Sequence, residues 1–211
     1  MSLTQLLKAH ADQSAAKLPE AVKQLMSNAI DALSQSQLMS KTLKVGDQFP
    51  DFSLPNDKGV LIDSKALLKE GPLVVAFYRG GWCPYCNIEL RALQEALSKF
   101  IAKGAQLVGI SPESPDNSLS TVEKNNLEFE VLTDENNKLA KLVKLVYELP
   151  QDLIDLYGKF GISLQQSQGN SNNELPISAT YVIDTSGTII YDFIEADYKL
   201  RADPKVIIEV L

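Results

Sequence analysis

Thiols and imidazoles are scarce in this chain. Its 211 residues hold two cysteines and one histidine, so a disulfide scaffold is excluded. A histidine-based metal centre or a Ser-His-Asp arrangement would hang on the single His10, which lies in a polar helical pattern near the N-terminus and reads as exposed and inert. Positive charge is also short. Twenty Lys and Arg face 27 Asp and Glu, a net charge of −7, which is a poor electrostatic match to nucleic acid or an anionic membrane surface. No apolar run approaches the roughly 20 residues needed to cross a bilayer. The opening Met1-Ser2-Leu3-Thr4-Gln5-Leu6-Leu7-Lys8 lacks the basic start, apolar core and cleavage site of a secretory signal. The expectation is a cytoplasmic protein without nucleic-acid or membrane partners. Composition is otherwise ordinary, with 45% hydrophobic and 22% charged residues, and excludes wholesale disorder.

The chain divides in two. Residues 1–43 read as a helical extension: Leu3, Leu6 and Leu7 open one amphipathic turn, and Ala21, Leu25, Ala29, Ile30 and Leu33 recur at helical spacing. Forty-odd residues bury too little to stand alone, so the extension should pack on the rest of the chain or on a second copy, giving a homo-oligomer through these helices. Ser34 to Ser40 is polar and looks like a boundary.

From residue 44 to 211 strands and helices alternate. Leu73 to Tyr78, bounded by Gly71-Pro72 and Gly80-Gly81, is a continuous apolar run of the kind buried on both faces. A helix follows through Cys86, Leu90, Leu93, Leu97, Phe100 and Ile101, with Gly104 just past its end. Ala105–Ile110 and Phe129–Leu132 read as further strands, Ser118–Asn125 as a helix, and Leu139, Leu142, Val143 and Val146 as another. Thr180–Asp184 and Thr188–Tyr191 flank a turn and read as an antiparallel hairpin, before a last helix from Pro204. Between Leu149 and Leu175, a helix over Asp152–Phe160 precedes a Gln-, Ser- and Asn-rich stretch that reads as a lid or a mobile excursion. Ser111–Pro115 reads as a plain strand-to-helix loop. The order predicts an α/β fold with a mixed central sheet flanked by helices.

The chemistry sits in the only thiols. Cys83 and Cys86 are three residues apart, just after a buried strand and at a helix start. Residues at that spacing on a first helical turn come within reach of a disulfide, and the helix N-terminus lowers thiol pKa. Pro84 suits the first turn, and Arg79 is the candidate thiolate-stabilising cation. A zinc site would need about four ligands, which two cysteines and a remote histidine do not supply. The pair therefore reads as a redox-active dithiol, with no metal and no cofactor.

Trp82-Cys83-Pro84-Tyr85-Cys86 resembles the Trp-Cys-Gly-Pro-Cys signature of thioredoxins. Val45-Gly46-Asp47-Gln48-Phe49-Pro50-Asp51-Phe52, Ser111-Pro112-Glu113-Ser114 and the hairpin Thr180–Asp184 with Gly187 resemble segments of peroxiredoxins of the AhpC/TSA family, together spanning about residue 45 to the end. Phe77-Tyr78-Arg79-Gly80-Gly81-Trp82-Cys83-Pro84-Tyr85-Cys86, Glu174-Leu175-Pro176 and Asp197-Tyr198-Lys199-Leu200-Arg201 are similar to a Cys-Pro-Tyr-Cys subgroup of that family. The resemblance implies a thioredoxin-like sandwich and a thiol peroxidase. Such an enzyme reduces hydroperoxides through a Cys83–Cys86 disulfide that thioredoxin, glutaredoxin or a low-molecular-weight thiol would recycle. The alternatives are a thiol–disulfide oxidoreductase acting on protein disulfides, or a redox-sensing module.

The peroxiredoxin register puts Cys86 at the peroxidatic position and Cys83 and Arg79 where the family carries Thr and Pro. The thioredoxin register makes Cys83 the exposed attacking thiolate. The wider extent of the first resemblance favours Cys86. The late family arginine falls near Ser178, which carries no charge and also lies where thioredoxins place a cis-proline.

Overall fold

The computed structural model describes residues 1–211. Two helices lead, α1 (Leu3–Ala15) and α2 (Glu20–Ser34). Ser2 starts α1 with a capping box, its hydroxyl accepting from the Gln5 N–H while the Gln5 side chain accepts from the Ser2 N–H. A small hairpin, β1 (Ser53–Pro55) with β2 (Leu61–Asp63), and α3 (Ser64–Glu70) follow; none of these three elements is evident from the sequence pattern.

The core is a five-stranded sheet ordered β5-β4-β3-β8-β9, comprising β3 (Leu73–Phe77), β4 (Gln106–Ser111), β5 (Glu130–Thr133), β8 (Ala179–Ile183) and β9 (Ile189–Ile194). β3, β4 and β5 are parallel, β8 runs antiparallel to β3, and β9 antiparallel to β8. Crossover helices α4 (Pro84–Ala102) and α5 (Pro115–Asn125) join the parallel strands, and α6 (Lys138–Leu142) follows β5. This is the mixed α/β sandwich of thioredoxin type expected from the sequence, with β3 at its centre.

Alternation along β3 divides the core between the two faces of the sheet. Val74, Ala76 and Tyr78 face α4, α1 and α9 (Pro204–Val210), whose Leu90, Leu93, Phe100, Leu3, Leu7 and Ile207 complete that layer. Leu73, Val75 and Phe77 face the other way, against Phe49, Phe52, Leu139 and Val143. Each fully buried Leu or Phe contributes about 1.5–3 kcal/mol, so α4 is anchored chiefly by its leucines and Phe100. The leading helices serve the same chain: α1 packs on α4, and α2 on α7 (Gln151–Lys159).

Three sequence expectations change. Val146 does not extend a helix: Lys144 adopts a positive φ of 61° that stops α6. Val146 then opens β6 (Val146–Glu148), antiparallel to β7 (Glu174–Pro176). The polar stretch before β7 is in part ordered structure, because α8 (Leu164–Gln168) buries Ser167 and Gln168 against the body. The polar Ser34–Ser40 segment is not a free boundary either, since Leu38 and Met39 pack under the sheet.

Candidate active site

β3 ends at Phe77, and Tyr78 adds one more ladder bond, its N–H donating to the Ile110 carbonyl at 2.9 Å. The chain then turns through Arg79, Gly80, Gly81 and Trp82 into α4. Only glycine fits the middle of that turn. Gly80 has φ +144°, and a Cβ there would lie 2.4 Å from the Trp82 indole nitrogen; one on Gly81 would lie 2.0 Å from Thr121 Oγ1. Cys83 is the N-cap of α4, Pro84 fills its first turn, and Cys86 lies one turn further.

Buried polar groups fix the turn. The Gly81 N–H donates to Glu113 Oε2 at 2.8 Å, and that carboxylate also accepts from Thr121 Oγ1 at 3.3 Å and Ser167 Oγ at 3.1 Å. Burial pushes the Glu113 carboxyl up, against the Gly81, Ser167 and Thr121 donors that favour its charge. Ser111–Pro115 is therefore more than a connecting loop: it carries the acid that ties the turn to α5 and α8. On the other side, Asn87 Nδ2 donates to the carbonyls of Gly81 at 2.7 Å and Cys83 at 2.9 Å. Asn125 Nδ2 holds Asn87 in place at 2.7 Å.

Both thiols are free and buried, Cys83 at 1% and Cys86 at 0% exposure. The exposed Cys83 of the thioredoxin register is thus corrected. Its apolar cluster includes Tyr85, Leu3 and Leu7, with Trp82 and Tyr198 packed against it. His10 is not freely exposed either; it is half-buried, edge-on to Tyr85 with ring centroids 4.9 Å apart. Leu3 and Leu7, in the stretch that reads as an extension, thus belong to the apolar cluster that holds the pair.

Two buried guanidinium groups bear on the pair by charge. Arg79 is buried in an aromatic cage, 4.5 Å from the Tyr198 ring centroid, 4.9 Å from Trp82 and 5.6 Å from Tyr157, whose hydroxyl accepts a hydrogen bond from its Nη2. Arg201 arrives from the segment before α9. Its Nη2 donates to Cys86 Sγ at 3.3 Å, its Nε to Glu89 Oε2 at 2.5 Å, and its Nη1 to the Tyr198 and Leu200 carbonyls. The Cys86 thiol, followed by the charges of Arg79 and Arg201, pulls Cys83 down to about 6 despite its burial. Burial, followed by its neighbour Cys83, pushes Cys86 well above the ordinary thiol range. The surroundings thus favour charge on Cys83 over charge on Cys86.

The structure thus brings Cys83, Cys86 and Arg79 together. Sequence reasoning passed over Glu89, Glu113 and Asn87, and gave Arg201 little weight. Glu89 left one trace: it stands three residues after Cys86 on the apolar stripe, where a carboxylate is out of place. Arg201, 115 residues from Cys86, showed only as the end of the Asp197–Arg201 segment that carries part of the family resemblance. Ser178 is buried with its hydroxyl unpartnered and brings no charge, and every peptide bond in the chain is trans.

Two cavities flank the site. An apolar groove of about 670 Å³ between α2 and α7 includes Tyr157 and Tyr198, the rings that hold Arg79. A polar cleft of about 320 Å³ lies against Trp82, lined by Glu113, Thr121 and Ser167.

Comparison with known proteins follows the same lines. The model of the AhpC/TSA family matches residues 45–192. A peroxiredoxin bcp of Helicobacter pylori is 31% identical over 147 residues, covering 70% of this chain and 85% of the relative. A chloroplastic peroxiredoxin Q of Sedum lineare is 31% identical over 157 residues, covering 74% of this chain and 72% of the relative. Among solved structures, the peroxidoxin BcpB of Mycobacterium tuberculosis superposes with a TM-score of 0.63 at 21% identity. The alignment covers 80% of this chain and 96% of that one.

Proposed function

The chain belongs to the AhpC/TSA family and is a peroxiredoxin-like, thiol-dependent peroxidase; from this we propose that its reaction runs through a Cys83/Cys86 dithiol–disulfide cycle in which Cys83 attacks first. The observation that carries the reading is the N-cap position of Cys83 on α4, where the neighbouring Cys86 thiol and the charges of Arg79 and Arg201 all lower its thiol pKa. A thiolate is the nucleophile, and this is the sulfur whose charge the surroundings favour. The order departs from the peroxiredoxin register, which names Cys86.

In the first half-reaction the Cys83 thiolate attacks the terminal oxygen of a hydroperoxide. The O–O bond breaks, Cys83 becomes a sulfenic acid, and the leaving alkoxide or hydroxide takes a proton. In the second, Cys86 condenses with the sulfenic acid. An external thiol then restores the pair, supplied by thioredoxin, glutaredoxin or a small thiol. Arg79 serves the first step by holding negative charge at Cys83. Residues 44–211 form the catalytic domain in this reading, and residues 1–43 a cover over it. No helix is long and apolar enough to cross a membrane, and we place the reaction in the cytoplasm.

The test is a pair of substitutions, Cys83→Ser and Cys86→Ser, each treated with peroxide and a sulfenic-acid trap. The trap should label Cys83 in the Cys86→Ser protein and leave the reverse variant unlabelled. Labelling of Cys86 alone would restore the peroxiredoxin order. Oxidation of the unaltered protein no faster than that of a free thiol would remove this dithiol as the peroxidase centre.

A further inference from the structure

Arg201 adds to the charge that lowers Cys83, yet its one contact with a thiol is on Cys86, and with Glu89 it forms the most tightly buried ion pair in the chain. Their side chains are 1% and 2% exposed, and the Nε to Oε2 distance is 2.5 Å. Burying two charges costs several kcal/mol per ion unless geometry and further hydrogen bonds compensate. Here the compensation is specific: two backbone carbonyls take Nη1, Glu89 takes Nε, and Nη2 is left to point at Cys86 Sγ. Arg201 touches the sulfur on which burial disfavours charge. A cation aimed at a neutral thiol gains little until that thiol ionises.

Resting on the dithiol cycle above, we infer that Arg201 is a catalytic residue of the second half-reaction, stabilising Cys86 as it becomes a thiolate, and that Glu89 is the positioning residue that aims its guanidinium. The step balances without another reactant. The Cys86 sulfur gives up its proton and forms the bond to the Cys83 sulfur. The S–O bond of the sulfenic acid breaks, and the leaving hydroxyl takes that proton and departs as water. The Cys83 sulfur is reduced and the Cys86 sulfur oxidised. Charge builds on Cys86 only during this step, and Nη2 is already within reach of it.

The placement explains a local departure in the chain. Ser178, where the family resemblance implies an arginine, holds an unpartnered hydroxyl in the core. The guanidinium on the pair comes instead from a segment beyond the family-matched residues 45–192. Glu89 is faced by Arg201 from the segment before α9 and by Cys86 on its own helix. From α1, which packs on α4, comes half-buried His10 against Tyr85. Burial raises the Glu89 carboxyl to about 7, opposed by Arg201. The positioning contact therefore weakens as the medium becomes acidic.

The two steps separate in time after rapid mixing of the reduced full-length protein with excess hydrogen peroxide. The single Trp82, next to Cys83, reports by fluorescence, and free-thiol counts report disulfide formation. Removing one buried charge strands the other, so the informative variants are Arg201→Lys, which keeps the pair, and Glu89→Gln with Arg201→Met, which removes both charges. In the double variant the second phase should slow at least tenfold more than the first, with trapped sulfenic acid accumulating on Cys83. Arg201→Lys should fall between, and the pH at which the second phase is half-maximal should rise in both. Equal slowing of both phases, or slowing confined to the first, would overturn the assignment to the second step, as would an unchanged second phase in Arg201→Lys. Labelling of Cys86 in the sulfenic-acid trap would instead sink the underlying order, so the two failures are told apart.

Discussion

The charge on the thiol pair is set by single residues and can be titrated. Thiolate absorbance near 240 nm in the reduced protein should rise with an apparent midpoint near 6, the value to which the Cys86 thiol and the two guanidiniums bring Cys83. The midpoint belongs to the pair. In Cys83→Ser this low-pH rise should disappear, and in Cys86→Ser it should move upward because the donating thiol is gone. The same shift links to stability. A thiol whose folded pKa is lowered adds stability fully present above its unfolded value of about 8.5 and lost as pH falls through about 6. The gap in unfolding free energy between the reduced protein and Cys83→Ser should therefore widen from pH 6 to 8.5 in urea titrations. Glu113 supplies a second test. Glu113→Ala leaves the Gly81 N–H and the Ser167 and Thr121 hydroxyls without their acceptor. It should cost about 1–3 kcal/mol for an unsatisfied buried group and speed hydrogen exchange at Gly81. Unchanged exchange there would show that the carboxylate does not hold the turn.

At the scale of elements, α1 is the piece whose contribution is easiest to isolate. It presents Leu3 and Leu7 to the layer that contains the thiols and His10 to Tyr85. Leu7→Ala should destabilise the fold by about 2–5 kcal/mol, the range for a buried leucine. It should also raise the alkylation rate of Cys83 by iodoacetamide several-fold as the helix loosens. A stability loss without faster alkylation would mean that α1 braces the domain but does not cover the pair. The elements legible from the sequence were those with a strong period of their own: β3 and β4 as unbroken apolar runs, α4 as a stripe closed by Gly104, and the late hairpin around Gly187. Those hidden were short or defined by partners. β6 and β7 are three residues each and exist because they pair with one another. α8 is a Gln- and Ser-rich turn made rigid by Ser167 donating to Glu113. The site followed the same division. Local spacing revealed Cys83, Cys86 and Arg79; Arg201 and Glu113 depend on contacts between distant parts of the chain, which spacing cannot show.

Across the whole molecule, the central position of β3 has a consequence for how long the chain takes to fold. β3 pairs with β4 about 33 residues on, but its other edge waits for β8, more than 100 residues downstream in the register Leu73 to Ile183. Sequence-distant pairings of this kind carry a loop-closure entropy that must be met before their contacts are made, and they slow folding. Helix α4 forms from local contacts, whereas Arg201 reaches Cys86 only after the chain has doubled back across the sheet. Refolding of the reduced protein should thus pass through an interval in which α4 is helical and its thiols unguarded. Far-ultraviolet dichroism should recover before resistance to alkylation, and the second signal should keep pace with closure of the β3–β8 pairing. That delay is the chain's interval of greatest exposure: an oxidant can reach the thiols before the Arg201 guanidinium has closed on Cys86.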